Sequence, residues 1–575
     1  MDNQDCYNNT FLDVDKMYLE TALKNAATCN KNKIAVKTLE EEISYGELYE
    51  EVLELAKKFE FQNQPIAIIG YRNIRTIVQI YAVLLSQNYY VPIDPEYPVD
   101  RRNYIISKSS ARILLDGDDI KEIRTDSIPI PFENKISFSD RVAYIIFTSG
   151  STGKPKGVIE THHQVWNTLI DLQIRLKLTS SDCFLGLASF SFDLSVFDIF
   201  ASSMVGGTLF IVKDQRDSQE ITQILSNYHI TIWNSVPNVL NYYLQDNNLR
   251  HLPIDNLKVC LLSGDHVSKE LVEDVQNKFL NCRVFSLGGA TECSIWSILY
   301  EVTADNIKNI DYVPYGYPMA NQQIYILDNA NNVIKNHTIG QIAIGGSGVS
   351  LGYVNDTEKT NMSFIEHPDL GYLYLTGDLG EFYYPDYIKF IGRKESQIKV
   401  NGYRVSFNEI SRVFKNNFNK DCVSFSIKDD EGTDKIILIY FNDQLIEEKT
   451  IRDVLNTSLA KYECPHYIFK NASIPLTQNG KVDLDFLKQY AIKSILMIHE
   501  SRSTNIEPDT PLMMMLKEVL KVKNISLDSQ IFSLGIDSLK MVRIKNWVRD
   551  NLGKEIDLVD IYNCDTILDL KNLLL

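Results

Sequence analysis

The chain has 575 residues, and because one hydrophobic core stops growing at roughly 250 to 300 residues, several domains are expected. Its composition, 44% hydrophobic and 23% charged residues, is that of a globular protein and excludes a mainly disordered or collagen-like chain. With 58 basic and 75 acidic side chains, the formal net charge is −17, which repels nucleic-acid phosphates and anionic lipid headgroups. We therefore expect neither a nucleic-acid partner nor a membrane partner.

The cysteines and the first twenty residues indicate the cellular compartment. Nine cysteines are scattered along the chain without a CxxC pair, which is typical of thiols in a reducing cytosol. The opening residues are acidic and polar, unlike a signal peptide, and no apolar run approaches the ~20 residues of a membrane span. These features predict a cytoplasmic protein.

In chain order, short apolar runs alternate with amphipathic stretches over the first ~390 residues, which predicts a large doubly wound α/β core. Val142 to Phe147 (VAYIIF) is one predicted buried strand, and strand-and-turn patterning begins at Gly371. A small α+β domain and an all-α helical bundle are expected to follow. The predicted boundaries are 1–392 for the core, 393–492 for the small domain, 493–509 for a linker and 510–575 for the helical bundle.

The segment FTSGSTGKPKGV, residues 147–158, follows the predicted strand and is rich in glycine, hydroxyl and lysine groups. Backbone N–H groups freed by glycine, together with hydroxyls and ammonium groups, are suited to bind a polyphosphate. The spacing is not the Walker pattern, and a flexible surface loop is the alternative from composition alone. The predicted phosphate-binding residues are Thr148, Ser149, Gly150, Ser151, Thr152, Gly153 and Lys154.

This loop resembles the TSGSTGxPKG loop of the adenylate-forming superfamily. Further segments, in the same order, resemble the blocks of amino-acid adenylation domains from nonribosomal peptide synthetases, and FSLGIDSLKMV (532–542) is similar to the FxxxGxDSL motif of peptidyl carrier proteins. The resemblance implies an adenylation core, a mobile C-terminal subdomain and a carrier domain. The other matching segments are SFDLSVFDIFASSMVGGTL (191–209), SLGGATECSIW (286–296), GQIAIGGSGVSLGY (340–353), YLTGD (374–378), GRKESQIKVNGYRV (392–405) and PLTQNGKVD (475–483).

The resemblance implies roles for three side chains at the phosphates of ATP, in addition to the phosphate-binding loop that begins at Thr148. Thr291 contacts the α-phosphate, and Glu292 holds Mg²⁺, a hard cation that prefers carboxylate oxygens. Lys481 bridges the substrate carboxylate and the α-phosphate and so neutralises two anions that must meet. Thr148, Glu292 and Lys481 are therefore the expected catalytic residues, although a lysine in NGKVD is by residue type alone an ordinary solvated charge.

The nucleoside is expected to contact three further parts of the chain. The resemblance implies that Asp378 accepts hydrogen bonds from the ribose hydroxyls and that Arg393 lies near the same sugar. Most relatives place Tyr-Gly-Pro, with a tyrosine against adenine, where this chain has Gly288, Gly289 and Ala290. The contact with adenine therefore comes from elsewhere or is absent.

The amino-acid pocket begins at Asp193, which lies in the apolar string SFDLSVFDIF. A buried carboxylate needs a cationic partner, although a helix N-cap fits this position equally well. The resemblance implies that Asp193 receives the α-ammonium group of an amino acid, which argues against fatty and aryl acids. The other implied pocket residues are Leu194, Phe197, Asn234, Leu261, Ser263, Leu287, Ile295 and Trp296, completed by Lys481.

Except at Phe197, where a tyrosine is expected, this pocket set is similar to that of cysteine-activating domains. Trp296 and the large aliphatic residues make the cavity shallow, while Ser263 and Asn234 offer polar contacts. The predicted substrate is L-cysteine. Because one methylene changes binding by only ~1–3 kcal/mol, glycine, alanine and serine remain alternatives.

Ser538 precedes apolar residues Met541, Ile544 and Val548 at helical spacing, and by residue type alone it is a plain N-cap. The resemblance implies that Ser538 carries 4′-phosphopantetheine. The implied partners are a phosphopantetheinyl transferase and a downstream synthetase or tailoring enzyme that acts on the loaded carrier. Glu395, in GRKES, matches the hinge of the family, where aspartate is more usual.

The leading hypothesis is an AMP-forming ligase of nonribosomal peptide biosynthesis. It converts ATP and an amino acid to aminoacyl-AMP and pyrophosphate, and then forms a thioester on the carrier. An acyl-CoA ligase-like enzyme is a second hypothesis, which Asp193 and Ser538 disfavour. A catalytically silent carrier or regulatory module is a third, which Lys481, Glu292 and the phosphate loop disfavour.

Overall fold

The protein is described from a computed structural model. The described residues form two compact units, the first holding residues up to 393 together with 403–404, and the second holding 397–400 and the residues from 405 onward. The structure describes residues 7–123, 141–148, 154–215, 217–244, 256–265, 267–303, 305–310, 313–334, 338–383, 387–393, 397–400, 403–429, 434–442, 445–471, 475, 482–500, 510–520, 525, 527, 538–556, 560–561, 564 and 566–574.

The first unit alternates strands and helices over most of its length, as the sequence predicts. Its strands are β1 Ile34–Lys37, β2 Glu42–Ser44, β3 Pro65–Ile69, β4 Tyr89–Ile93, β5 Ile113–Asp116, β6 Asp119–Glu122, β7 Val142–Thr148, β8 Lys156–Thr161, β9 Cys183–Gly186, β10 Thr208–Ile211, β11 Ile232–Ser235, β12 Val259–Ser263, β13 Arg283–Gly288, β14 Ile298–Val302, β15 Tyr317–Pro318, β16 Gln322–Leu327, β17 Ile339–Gly346, β18 Phe364–His367, β19 Gly371–Tyr383 and β20 Tyr387–Arg393. Its helices are α1 Leu19–Cys29, α2 Tyr45–Ala56, α3 Ile74–Leu85, α4 Val99–Ser109, α5 His162–Leu176, α6 Leu194–Val205, α7 Ser218–Asn227, α8 Pro237–Leu244, α9 Lys269–Lys278 and α10 Thr357–Ser363, with 3₁₀ turns at Thr291–Cys293 and Ile307–Asn309.

Three sheets organise the described part of this unit. A nine-stranded sheet has the order β15-β14-β13-β12-β11-β9-β10-β1-β2 and is parallel from β13 to β1. A six-stranded sheet, β6-β5-β3-β4-β7-β8, is parallel from β5 to β7. The third sheet is antiparallel, with β16, β17, β19 and β18 in line and β20 paired to β19. This mixture of parallel sheets and helices confirms the predicted α/β core.

Local sequence explains why the elements that carry the site form. β12 (VCLLS) is buried along its whole length, as expected for a parallel strand covered on both faces. α5 starts with a capping box in which Thr161 and Gln164 satisfy each other's backbone N–H groups. α6 ends at Gly206, whose φ of 66° closes the helix in the left-handed conformation that glycine favours.

In the second unit, alternate residues of one strand pack against different helices. The described elements are β21 Gln397–Val400, β22 Tyr403–Ser406, α11 Phe407–Phe418, β23 Cys422–Lys428, β24 Asp434–Phe441, α12 Glu448–Ser458, a 3₁₀ turn Lys461–Glu463, β25 Tyr467–Asn471, α13 Leu484–Glu500, α14 Pro511–Leu520, α15 Ser538–Leu552 and α16 Ile567–Leu574. Leu438 of β24 shares a core with α11 and α12, whereas Ile437 and Ile439 share another with Leu487 of α13. This period of two matches the pleat of a strand buried on both faces.

The helices from α14 onward have a core of their own, in which Met541, Ile544 and Val548 are buried as their spacing predicts. The family-level prediction of a helical carrier is therefore supported by the fold. α13 continues to Glu500 and so includes residues 493–500, which the sequence analysis assigned to the linker. Its residue Ile495 packs against the cluster around Leu487, which explains why the helix extends. None of the described helices has the length and apolar character needed to cross a membrane.

Gly157 on β8 provides a test of the core that supports the site. A Cβ added at Gly157 would lie 2.7 Å from Val354 Cγ1 and 2.8 Å from Ile145 Cγ2, and both of these side chains are stiff. We expect Gly157→Ala to destabilise the first unit by about 1–3 kcal/mol because of overpacking, seen as a lower thermal midpoint.

Gly70→Ala is the matched control, because its nearest contact would be 3.3 Å from Phe190 Cβ, which a shift of a few tenths of an ångström relieves. Equal thermal midpoints for the two variants would contradict the described packing around β8.

Candidate active site

The register of three parallel strands places four predicted pocket residues on one face of the nine-stranded sheet. Asn234 of β11 lies opposite Leu261 of β12, and Ser263 of β12 lies opposite Leu287 of β13. Residues two apart on a strand point to the same side, so Leu261 and Ser263 share a face, and their partners share it with them. These four residues come from segments far apart in the sequence.

Helix α6 packs against this face through Asn234. The Asn234 amide nitrogen donates to the Leu194 carbonyl oxygen at 3.1 Å and to Asp198 Oδ1 at 3.0 Å. The Leu194 carbonyl oxygen can only accept, so the amide nitrogen must face it and the amide oxygen points the other way. Phe197 of α6 lies edge-on to Trp296, with ring centroids 5.4 Å apart. The structure therefore brings the predicted pocket residues together around α6.

Three polar atoms in this pocket are buried without a hydrogen-bond partner among the described residues. They are Asn234 Oδ1, Ser263 Oγ and Trp296 Nε1. An unpartnered buried polar group costs about 1–3 kcal/mol, so such atoms are uncommon in folded proteins unless a ligand or water serves them. The pocket therefore offers both acceptors and donors to a bound molecule.

Asp193 is 5% exposed and accepts a hydrogen bond from the Thr291 hydroxyl at 2.7 Å. It occupies the N-cap position of α6, yet its side chain makes no capping hydrogen bond. The N-cap alternative therefore does not account for its carboxylate. The structure joins Asp193, predicted to bind the amino acid, to Thr291, predicted to bind the nucleotide.

Glu292 lies in a buried group that the sequence analysis did not recognise. Its Oε1 accepts from Tyr353 Oη at 2.7 Å and lies 2.8 Å from Lys156 Nζ, which also donates to Tyr353 Oη at 2.5 Å. Lys156 is the second lysine of the glycine-rich segment, four residues from Glu160 on the same strand. The described residues contain no cluster of three His, Cys, Asp or Glu suited to a metal. A single buried carboxylate oxygen is the type of ligand that Mg²⁺ prefers, so Glu292 could hold the ion.

Two further acidic side chains, Glu160 and Asp198, are buried close to these residues. Burial raises the pKa of Glu160 well above its usual range, and nearby Glu292 and Asp193 raise it further. Burial also raises the pKa of Asp198, against the hydrogen bond from Asn234. The sequence signal for Asp198 was a second acid in the apolar string SFDLSVFDIF, five residues after Asp193.

The predicted ribose contacts lie on neighbouring strands. Asp378 of β19 is 6% exposed and stands opposite Arg393 of β20 in the antiparallel register. Its backbone N–H donates to the Thr376 hydroxyl at 3.0 Å. The structure therefore brings the backbones of Asp378 and Arg393 side by side, and their contact with the ribose stays a prediction.

Tyr315 occupies the space beside Gly288 where the sequence analysis noted a missing tyrosine. A Cβ added at Gly288 would lie 2.0 Å from Tyr315 Cε2, so the ring rests directly on the glycine backbone. Tyr315 is half-buried, and its ring centroid is 5.9 Å from that of Phe390 on β20. In the sequence, Tyr315 is the first tyrosine of the segment VPYGYP (313–318). Nothing in the sequence connects it with Gly288, because the two residues meet only in the folded chain.

The remaining predicted residues lie at the edges of the described chain. Thr148 ends β7 opposite Lys156, and Lys154 Nζ lies 5.8 Å from the Tyr104 ring centroid. α15 begins at Ser538, the predicted attachment residue. Ser149 to Gly153, the hinge residue Glu395 and Lys481 lie outside the described residues, so their roles stay predictions.

Two family models match the chain. The AMP-binding enzyme model matches residues 23–354, and the phosphopantetheine attachment site model matches residues 510–574. Bacitracin synthase 1 of Bacillus licheniformis is 36% identical over 586 residues, which cover 99% of this chain and 11% of the synthase. Pyochelin synthetase PchF of Pseudomonas aeruginosa is 34% identical over 366 residues, which cover 61% of this chain and 20% of the synthetase. The chain thus spans a small part of the length of these relatives.

Solved structures agree on the fold. A holo nonribosomal peptide synthetase protein that contains adenylation and PCP domains, bound to a vinylsulfonamide inhibitor, has a TM-score of 0.79 at 20% identity and covers 97% of this chain and 96% of its own. The Vibrio cholerae adenylation domain AlmE, in complex with glycyl-adenosine-5′-phosphate, has a TM-score of 0.72 at 20% identity, with 84% and 99% covered. The chain belongs to the family of AMP-binding enzymes and carries a phosphopantetheine attachment domain over residues 510–574.

Proposed function

We propose that the chain acts as an amino-acid adenylation and carrier module of a nonribosomal peptide synthetase. A substrate carboxylate oxygen attacks the α-phosphorus of ATP, and pyrophosphate leaves. The thiolate of a 4′-phosphopantetheine arm on Ser538 then attacks the acyl carbon, and AMP leaves as the thioester forms. The observation that carries this proposal is the hydrogen bond between Asp193 and Thr291, which brings the predicted amino-acid contact beside the residue that precedes the buried Glu292.

The amino-acid end of the site is formed by Asp193 and the pocket face of the sheet. A buried carboxylate beside apolar side chains is stabilised by an ammonium group, which an amino acid carries and a fatty acid lacks. The proposed substrate is L-cysteine. Glycine or alanine would leave Asn234 Oδ1 and Ser263 Oγ without a partner, which disfavours both. Between cysteine and serine, the apolar lining from Leu261 and Leu287 favours the more weakly hydrated thiol.

The nucleotide end of the site combines described residues with residues outside the described chain. Thr148, Lys154 and the glycine-rich segment 149–153 would surround the phosphates, and Glu292 would hold Mg²⁺ while Lys156 keeps its carboxylate in place. The Thr291 hydroxyl would turn from Asp193 towards the α-phosphate. Bound magnesium would supply charge neutralisation at the phosphates.

Two residues outside the described chain complete the proposal. Lys481 would bridge the carboxylate and the α-phosphate during the attack, and Glu395 would act as the hinge of a domain rotation between the two half-reactions. Asp378 and Arg393 would contact the ribose. We further propose that the Tyr315 ring serves as the contact with adenine, because its ring lies on Gly288 beside the nucleotide end of the site.

The carrier half of the reaction needs partners. A phosphopantetheinyl transferase would attach the arm to Ser538 at the start of α15, where the helix N-terminus favours the phosphodiester. A downstream synthetase or tailoring enzyme would then accept the thioester.

Substrate identity is tested by pyrophosphate exchange across the twenty amino acids, with L-cysteine expected to give the highest kcat/KM. In Ser263→Ala the KM for cysteine should rise about 2- to 10-fold, since one hydrogen bond is worth about 0.5–1.5 kcal/mol. The KM for alanine, which has no group that reaches Ser263, should stay unchanged and is the internal control. A preference for a large aromatic amino acid, or for an acid without an α-amine, would contradict the proposed substrate.

The adenine contact is tested by Tyr315→Ala, which should raise the KM for ATP about 10-fold, because stacking on an aromatic ring is worth about 1–3 kcal/mol. The KM for the amino acid should change little. Tyr315→Phe is the matched control and should resemble the wild type. An unchanged KM for ATP in Tyr315→Ala would place the base elsewhere.

Carrier loading is tested by Ser538→Ala, which should abolish the mass increase produced by a phosphopantetheinyl transferase while pyrophosphate exchange continues. Ser533→Ala, five residues earlier, is the matched control and should still be modified. Intact-protein mass spectrometry distinguishes the two variants. Modification that persists in Ser538→Ala would require another attachment residue.

A further inference from the structure

A strained turn presents two of the pocket residues. Ser294 and Ile295 have φ values of 58° and 72°, and the Trp296 N–H donates to the Ser294 carbonyl oxygen at 2.9 Å. This is a γ-turn with a positive φ at its central residue, a rare form, and here that residue is the β-branched Ile295. Backbone strain of this kind costs about 1–3 kcal/mol and persists only where the surroundings enforce it.

Three buried side chains from separate elements hold this turn. The Ser294 N–H donates to Glu160 Oε1 at 3.2 Å, and the Thr168 hydroxyl donates to the Ser294 carbonyl oxygen at 3.1 Å. The Gln322 amide nitrogen donates to the Trp296 carbonyl oxygen at 3.0 Å. Glu160 belongs to β8, Thr168 to α5 and Gln322 to β16, and all three are fully buried. The turn is thus fixed at both ends by side chains that are not among the predicted pocket residues.

The turn sets where Ile295 and Trp296 lie. Both side chains are at most 3% exposed, and Trp296 packs edge-on against Phe197 across the pocket. The backbone behind them has no room to shift, because a Cβ on Gly289 would already lie 2.8 Å from Trp296 Cα. If the turn relaxed to ordinary negative φ values, both pocket side chains would change direction.

We propose that Thr168, Glu160 and Gln322 are positioning residues for amino-acid selectivity, which hold the 294–296 turn so that Ile295 and Trp296 limit the size of the side chain the pocket accepts. The inference rests on the proposed function of this pocket. Loss of one hydrogen bond lets the turn relax to ordinary negative φ values, Ile295 and Trp296 change direction, and larger amino acids enter. Ile295 and Trp296 are not among the residues proposed to contact the nucleotide, so nucleotide binding is expected to stay close to that of the wild type.

Thr168→Val tests the inference because it removes the hydroxyl while keeping the shape of the side chain. Pyrophosphate exchange should show a KM for cysteine raised about 10-fold, and the preference for cysteine over valine and leucine reduced about 10-fold. The KM for ATP should stay within twofold of the wild type. Thr168→Ser, which keeps the hydroxyl, should restore the discrimination.

Glu160→Gln and Gln322→Met extend the test to the other two contacts. Glutamine at position 160 keeps an oxygen acceptor for the Ser294 N–H and should preserve selectivity, whereas Gln322→Met removes a donor and should weaken selectivity as Thr168→Val does. If Thr168→Val does not fold, Gln322→Met tests the same inference, because Gln322 binds the other end of the turn at Trp296 and its loss should also weaken selectivity.

The outcomes separate the two proposals. The inference would be overturned if Thr168→Val lost kcat/KM equally for all amino acids. It would also be overturned if Thr168→Ser did not restore the preference for cysteine over valine and leucine. Either result would show that Thr168 has a purely structural role. Unchanged discrimination in both Thr168→Val and Gln322→Met would also overturn it. Wild-type protein that exchanges pyrophosphate with no amino acid would instead overturn the proposed function.

Discussion

The active-site half of the first unit depends on keeping four acidic side chains out of water. Glu160, Asp193, Asp198 and Glu292 are each at most 5% exposed. A charged carboxylate buried without a partner costs several kcal/mol, so each of the four needs its own compensation. Glu292 has an ammonium partner in Lys156, Asp193 has the Thr291 hydroxyl, and the raised pKa values of Glu160 and Asp198 favour their neutral forms. A site built in this way is suited to ligands that bring positive charge, such as an α-ammonium group or a hydrated divalent cation.

Much of the fold follows from local sequence. The apolar run VAYIIF predicts the buried strand β7, and the helical spacing of Met541, Ile544 and Val548 predicts α15. The alternation of apolar runs and amphipathic stretches predicts the α/β core. These patterns depend only on the period of side-chain burial, which is 2 for strands and 3.6 for helices. The sequence did not predict the extension of α13 to Glu500, because the polar residues that follow, SRSTNIEPDT, make the segment 493–510 as a whole resemble a linker.

The candidate site was only partly predictable, because family motifs mark positions and not contacts. The motifs located Asp193, Glu292 and the pocket residues, yet they gave no hint that Tyr353, 61 residues from Glu292, donates to its carboxylate. Folding alone also brings together Tyr315 and Gly288, which are in contact, and Thr168 and Ser294, which are joined by a hydrogen bond. Register across β11, β12 and β13 is needed to show that Asn234 and Ser263 share a face.

The hydrogen bond between Thr291 and Asp193 has a thermodynamic consequence for an enzyme that uses both residues as we propose. The phosphate of ATP competes with Asp193 for the Thr291 hydroxyl, so turning that hydroxyl towards the phosphate breaks the 2.7 Å contact. An ammonium group bound to Asp193 neutralises the carboxylate and weakens its hydrogen bond to the hydroxyl, which lowers the cost of that turn. Binding of the two substrates would therefore be positively cooperative by up to about 0.5–1.5 kcal/mol, the net contribution of one such bond, and linkage makes the enhancement equal in both directions. A single hydroxyl would in this way couple recognition of the building block to recognition of the nucleotide that activates it.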